Sequence, residues 1–146
     1  MNWKIVTVGK PALPWAREAT ADYLTRLSRT GKIELVTLKD GPSETVERAM
    51  LAAGEGAYCI AMDERGKQMR SIALADWVRN RELSSTKRVC IFIGGANGHS
   101  ASLRAAAHEM WSLSSFTLQH ELALIVLLEQ IYRAGTILRG EPYHRE

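Results

Sequence analysis

The stretch Val89-Cys90-Ile91-Phe92-Ile93-Gly94-Gly95-Ala96-Asn97-Gly98 decides the fold. Its first five residues are apolar and read as a β-strand, and the strand stops on two glycines. A strand that ends this way leaves bare backbone N–H and C=O groups at its C-terminal end, where α/β sheets bind small ligands.

Upstream, the same kind of unit recurs. Lys4 to Val8 is a β-branched run closed by Gly9, and from Pro14 the residues Trp15, Ala16, Ala19, Tyr23 and Leu27 recur at helical spacing up to Gly31. Arg17, Glu18, Asp22, Arg26 and Arg29 lie on the opposite face, read first as a solvated face, with an RNA-contacting face the minority alternative. Ile33 to Leu38 reads as a second strand, followed by a helix capped by Ser43 with Val46, Met50 and Ala53 on one face. Ala57 to Met62 reads as a third strand, closed by the polar turn Asp63 to Lys67, and Ser71 caps a helix carrying Leu74, Trp77 and Val78. Strands alternating with helices at this spacing predict a single α/β domain over residues 1–146, with a parallel sheet covered by helices on both faces. Met62, Gly94 and Leu113 then stand at three strand ends and line one crevice. Adjacent Asp63 and Glu64 do not converge as paired catalytic carboxylates must, and read as turn residues.

Bulk properties fit this picture. A chain of 146 residues with 46% hydrophobic content supports one core. A net charge of +3 permits a polyanionic partner without demanding one. Cys59 and Cys90 each lie in an apolar run, which predicts buried reduced thiols and a cytoplasmic setting. The N-terminal residues carry no signal-peptide pattern, and no apolar run reaches the ~18 residues of a membrane span.

The glycine turn has neither the spacing of a dinucleotide fingerprint nor the Gly-Lys-Ser/Thr of a P-loop, so a phosphate cradle is not expected. It reads equally as a strand-to-helix turn requiring positive φ and as a ligand-contacting turn. Ser114, Ser115, Thr117 and His120 lack the setting of a serine hydrolase: no nucleophile elbow is present, and Glu121 adjoins His120. Thr117 is expected to cap the next helix, while His120 stays open between a place in that helix's first turn and a chemical role. From Leu122 to Ile131 that helix is apolar almost all round, which predicts burial on more than one side and a subunit interface. Glu129 and Arg133 are spaced for a local ion pair. The tail from Gly140 to Glu146 would ordinarily fray, yet it places Tyr143, His144 and Arg145 side by side.

Four strings carry a resemblance that spans the chain and is most specific over its last third: Ile93 to Gly98 (IGGANG), Trp111 to His120 (WSLSSFTLQH), Leu128 to Ala134 (LEQIYRA) and Pro142 to Arg145 (PYHR). The chain resembles the bacterial large-subunit rRNA pseudouridine N3-methyltransferases of the SPOUT superfamily. The resemblance implies a C-terminal trefoil knot, an exception to the rule against threaded connections. It also implies S-adenosylmethionine as cofactor, held by Met62, Gly94, Leu113, Ser114, Ser115, Phe116, Thr117 and Leu118. Catalytic or substrate-handling roles fall to Arg133, Tyr143, His144 and Arg145, with His144 the candidate proton acceptor. The implied partners are a second copy of the chain and 23S rRNA within the large subunit or assembled ribosome, with no membrane, DNA or metal involved. The alternative is a non-catalytic RNA-binding or ribosome-assembly module on the same fold. Two residues depart from the family pattern: Gln119 stands where proline is common, and Leu124 where arginine is common.

Overall fold

The computed structural model of the chain describes residues 1–145. Its elements alternate throughout: β1 (Asn2–Val8), α1 (Pro14–Ser28), β2 (Ile33–Leu38), α2 (Ser43–Ala53), β3 (Tyr58–Gln68), α3 (Ser71–Leu83), β4 (Arg88–Ile93), α4 (Ala101–Ala106), β5 (Glu109–Ser112) and α5 (His120–Leu138). The strands form one sheet in the order β2-β1-β4-β3-β5, and every pairing is parallel.

The two-residue period of β4 sets the two layers. Val89, Ile91 and Ile93 point to one face, where they pack with Leu27 of α1, Leu74, Ala75 and Val78 of α3, and Leu124, Leu127, Leu128 and Ile131 of α5. Cys90 and Phe92 point to the other, against Met50 of α2 and Leu103 of α4. β4 is buried on both sides, as a central parallel strand must be.

Several local expectations are corrected. Trp15 lies 53% exposed on the outer face of α1, and Ala16 and Leu27 carry its burial instead. Ser43 and Ser71 are the first helical residues rather than caps: Pro42 and Arg70 hold the cap positions, and neither caps its helix through a side-chain hydrogen bond. The Ser71 hydroxyl is engaged elsewhere, donating to Gln130 Oε1 at 2.6 Å and so tying α3 to α5.

Asp63 to Lys67 is not a closing turn. β3 pairs with β4 as far as Met62↔Ile93, and its register against β5 shifts between Met62 and Lys67 before pairing resumes at Lys67↔Trp111. Gly66 makes this possible: a Cβ there would meet the Met110 and Trp111 backbones at 2.6 Å. The irregularity turns Asp63 and Glu64 toward the sheet's C-terminal edge.

At the opposite end of the same strands, the Glu109 carboxylate accepts from Tyr58 Oη (2.6 Å), Trp77 Nε1 (2.9 Å) and Trp111 Nε1 (3.0 Å). Burial raises its proton affinity, but these three donors together with the charge of Arg81 outweigh burial and hold the carboxyl below its ordinary range. The cluster fastens edge strand β5 to β3 and α3, and fixes where Leu113 emerges.

Candidate functional site

The C-terminal ends of β3, β4 and β5 open into a crevice of about 860 Å³. It gathers Met62, Gly94, Leu113, Ser114, Phe116, Thr117 and Leu118, residues from three segments that only the parallel sheet brings together. Ser115 is the one predicted cofactor-binding residue outside this lining: its Oγ accepts from Gln68 Nε2 at 3.0 Å. A second cavity, of about 590 Å³, lies at the other end of the sheet against Met1, Trp3 and Leu138, and it has no glycine turn.

The glycine turn is tighter at one point than its sequence suggests. Only Gly98 has positive φ (+69°), whereas Gly94 is required for closeness: a Cβ there would meet the Gly98 carbonyl carbon at 2.9 Å. The Gly98 amide closes the turn on the Gly95 carbonyl at 3.0 Å. Asn97 and His99 continue the wall, and the buried His99 returns Nε2 to the Phe92 carbonyl at 3.0 Å. Because a carbonyl only accepts, Nε2 carries the proton. Burial keeps the His99 imidazole below its ordinary proton affinity, with Arg104 adding to this and the Phe92 carbonyl and Asp63 opposing it.

The loop after β5 is built from its own hydroxyls. Ser112 Oγ donates to the Ser114 carbonyl (3.0 Å), the Phe116 amide donates to Ser114 Oγ (2.9 Å), and Thr117 Oγ1 donates to Glu64 Oε1 (2.6 Å). Thr117 is therefore not the helix cap. Gln119 is: its Oε1 accepts from the Glu121 and Leu122 amides at 2.9 and 3.0 Å, and its φ of −60° is the value proline would impose. The departure from proline thus keeps the backbone angle and adds a cap. His120 is the first residue of α5 and also lines the crevice. The neighbouring Glu121 is buried and accepts from the Ala12 and Leu13 amides at 3.0 and 3.4 Å, which anchors the entry to α1.

Asp63, Glu64 and Arg65, taken as turn residues from sequence, also line the crevice. The Asp63 side chain is only 7% exposed and accepts from the Arg65 amide at 2.9 Å. Burial raises its proton affinity, but Arg65 and Arg104 together hold the carboxyl below its ordinary range.

Arg133, Tyr143 and His144 form a separate cluster. The tail turns back at Gly140, where φ is +71°, and docks on α5. Arg133 Nη2 pairs with Glu129 Oε1 at 2.6 Å, as the spacing predicts, and Tyr143 Oη donates to the same oxygen at 3.2 Å. The Tyr143 ring packs edge-on to Tyr132 at 4.9 Å and beneath the Arg133 guanidinium at 4.8 Å. Burial, then Tyr23 and Glu129, push the Tyr143 phenol up to about 12. Arg133 Nη1 lies 3.2 Å from His144 Nδ1, and since arginine only donates, the neutral imidazole holds its proton on Nε2. That Nε2 is buried and bonds to no described residue. Arg145 is exposed, and Glu146 lies outside the described residues.

Within one chain, the crevice and the described residues of the tail do not meet. None of Arg133, Tyr143, His144 or Arg145 lines the crevice, and Arg133 stands some 20 Å beyond His120 along α5, at about 1.5 Å per residue. Leu124, where the family pattern has arginine, is buried in the layer shared by α1, α3 and α5. The rest of α5 is more open: Leu122, Ile125 and Val126 are half-buried.

Comparison with known proteins gives a consistent result. Residues 1–144 match a protein family described as predicted SPOUT methyltransferases. Over 152 aligned residues that cover both chains fully, the sequence is 41% identical to ribosomal RNA large subunit methyltransferase H of Polynucleobacter asymbioticus. It is 38% identical over 145 residues to the protein of the same name from Deinococcus radiodurans, covering 99% of each. Among solved structures, the tRNA (m1G37) methyltransferase of Aquifex aeolicus superposes with a TM-score of 0.59 at 14% identity, over 100% of this chain and 76% of that one, a likeness of fold.

Proposed function

The chain belongs to the SPOUT methyltransferase family, and on that premise we propose that it transfers a methyl group from S-adenosylmethionine to N3 of a pseudouridine in 23S rRNA. The observation that carries this reading is the convergence of Met62, Gly94 and the Leu113 to Leu118 loop on one crevice at the sheet's C-terminal edge, in a chain with full-length relatives named as large-subunit rRNA methyltransferases.

The crevice suits that cofactor. Met62, Ile93, Leu113, Leu118 and Ala123 offer apolar walls for an adenine ring, while Asp63 and Glu64 supply negative charge toward hydroxyls and a sulfonium. The close approach at Gly94 keeps side-chain bulk out of the floor. The trefoil knot belongs to the same reading, supported by the family membership and by the return of α5 onto α1 and α3 after edge strand β5.

When bound, the cofactor supplies an activated methyl group, and the protein's tasks are alignment and removal of the imide proton from the base. His144 takes that proton on Nδ1 once Arg133 releases it, since Nε2 is already protonated. Arg133, freed from the imidazole, and Arg145 then face the developing negative charge.

The site is composite: the tail of one subunit serves the crevice of another. The separation along α5 supports this, as do the half-buried Leu122, Ile125 and Val126 and the 83% exposed Phe116 at the crevice rim. The His144 N–H, which has no partner among the described residues, supports it too, because a buried donor left so costs about 1–3 kcal/mol and makes the docked tail an arrangement it can leave.

The substrate is presented by a folded ribosomal surface, as a chain of net charge +3 has little to grip naked RNA. Incubation with labelled S-adenosylmethionine should place methyl groups on a pseudouridine of 23S rRNA in ribosomes, read by nucleoside mass spectrometry, with far less transfer to protein-free rRNA. Equal rates on both at matched salt would reject the ribosomal surface. Cofactor binding without transfer to any rRNA would favour a non-catalytic module.

A further inference from the structure

Three side chains behind the crevice tie its parts together, and one of them does not line it. Arg104, on α4, donates from Nη1 to the His99 carbonyl at 2.7 Å, and the same nitrogen lies 3.8 Å from Asp63 Oδ2. His99 is thereby held from both sides, by its ring on the Phe92 carbonyl and by its own carbonyl on Arg104. Asp63 follows the last β3 residue paired to β4, and His99 directly follows the glycine turn, so one guanidinium bridges two of the three walls. The base of the bridge is fixed as well. Glu47 of α2 accepts from the hydroxyls of Ser100 and Ser102, and Ser100 caps α4 through the Leu103 amide at 3.1 Å.

Resting on the methyltransferase reading above, we propose that Arg104 is a positioning residue for cofactor binding, a latch that holds the glycine turn against the end of the β3–β4 pairing in its binding-competent shape. The physical reason is the placement of the charge. The nearly buried Asp63 carboxylate needs cationic partners, and Arg65, the other one, is mostly exposed. Arg104 is the partner that also grips the turn. Without it the turn samples other shapes, and apparent affinity falls by the fraction of molecules still competent. Saturating cofactor restores that fraction, so the defect falls on KM and leaves kcat in place.

The test compares Arg104→Met, Arg104→Gln and Arg104→Lys with the wild type by calorimetric titration with S-adenosylmethionine and by amide hydrogen exchange over residues 95–99. Arg104→Met should bind the cofactor about 10-fold more weakly and exchange faster at the Gly98 amide. Its KM for cofactor should rise in step, with kcat at saturation within about 2-fold. Arg104→Lys keeps a cation within reach and should recover affinity to within about 3-fold. If Arg104→Met does not fold, Arg104→Gln, which keeps a donor for the His99 carbonyl without the charge, carries the comparison. Unchanged affinity in a folded Met or Gln variant overturns the proposal, as does a loss that lysine does not rescue or one that appears in kcat alone. Failure of the wild-type protein itself to bind S-adenosylmethionine would instead remove the methyltransferase reading.

Discussion

Gly94→Val is expected to weaken S-adenosylmethionine binding by about 100-fold or more while leaving the sheet folded. The added Cβ would stand 2.9 Å from the Gly98 carbonyl carbon and 3.1 Å from its Cα, contacts with backbone that no rotamer change relieves. The turn must open, and it opens into the crevice that the cofactor would fill. A steric penalty of a few kcal/mol converts to this range of affinity at about 1.4 kcal/mol per factor of ten. The strand is spared, because Gly94 lies beyond the last β4 residue and the core on both faces is made by Val89 to Ile93. Calorimetry on the variant, with circular dichroism and a thermal midpoint as controls for folding, gives the answer. A folded Gly94→Val protein that binds with wild-type affinity would move the cofactor site elsewhere.

Removal of Tyr143 to Glu146 should have the opposite profile: cofactor affinity retained and methyl transfer to ribosomes reduced about 10²–10⁴-fold, the range associated with losing a general acid–base group. Of the deleted side chains, Tyr143 and His144 dock on Glu129, Tyr132 and Arg133, and neither lines the crevice, so the binding floor is untouched. Arg133 stays paired to Glu129 within α5, and the α5 core contacts are unchanged. Single-turnover transfer measured beside calorimetry separates the two functions. Full turnover without the tail would reject its catalytic role, and a parallel fall in cofactor affinity would place the tail over the cofactor instead.

The residues behind these two expectations differ in how far the sequence alone reveals them. Gly94 is legible because an apolar strand ending on glycines carries its own address in a parallel sheet. The position of Leu113 follows from the same alternation. Asp63 is not legible: its sequence neighbour Glu64 draws attention as a pair, whereas the partner that gives it a role, Arg104, lies on another element and is reached only through the fold. Helix starts fail for a related reason. Ser71 and Thr117 have the right chemistry for caps, but Gln130 and Glu64 claim their hydroxyls, and Gln119 caps in place of Thr117. The tail's docking is hidden by an ion pair that looks complete: Glu129 and Arg133 satisfy the i, i+4 rule on their own, yet each also engages the tail, Glu129 holding Tyr143 and Arg133 holding His144. Of the two departures from the family pattern, Gln119 preserves what proline does. Leu124 is absorbed into the core, where a cation would be buried.

The proposed sharing of one site between two subunits is tested most directly by complementation. Unfolded Gly94→Val chains are mixed with chains lacking Tyr143 to Glu146 and refolded together, so random isologous pairing makes about half of the dimers mixed. Each mixed dimer holds one intact composite site, with a sound crevice facing a complete tail, and one site damaged on both sides. Two inactive parents should then recover roughly a quarter of the wild-type methyl transfer to ribosomes. Mixed dimers identified by native mass spectrometry that remain inactive would contradict the shared site and return the tail to its own subunit's crevice.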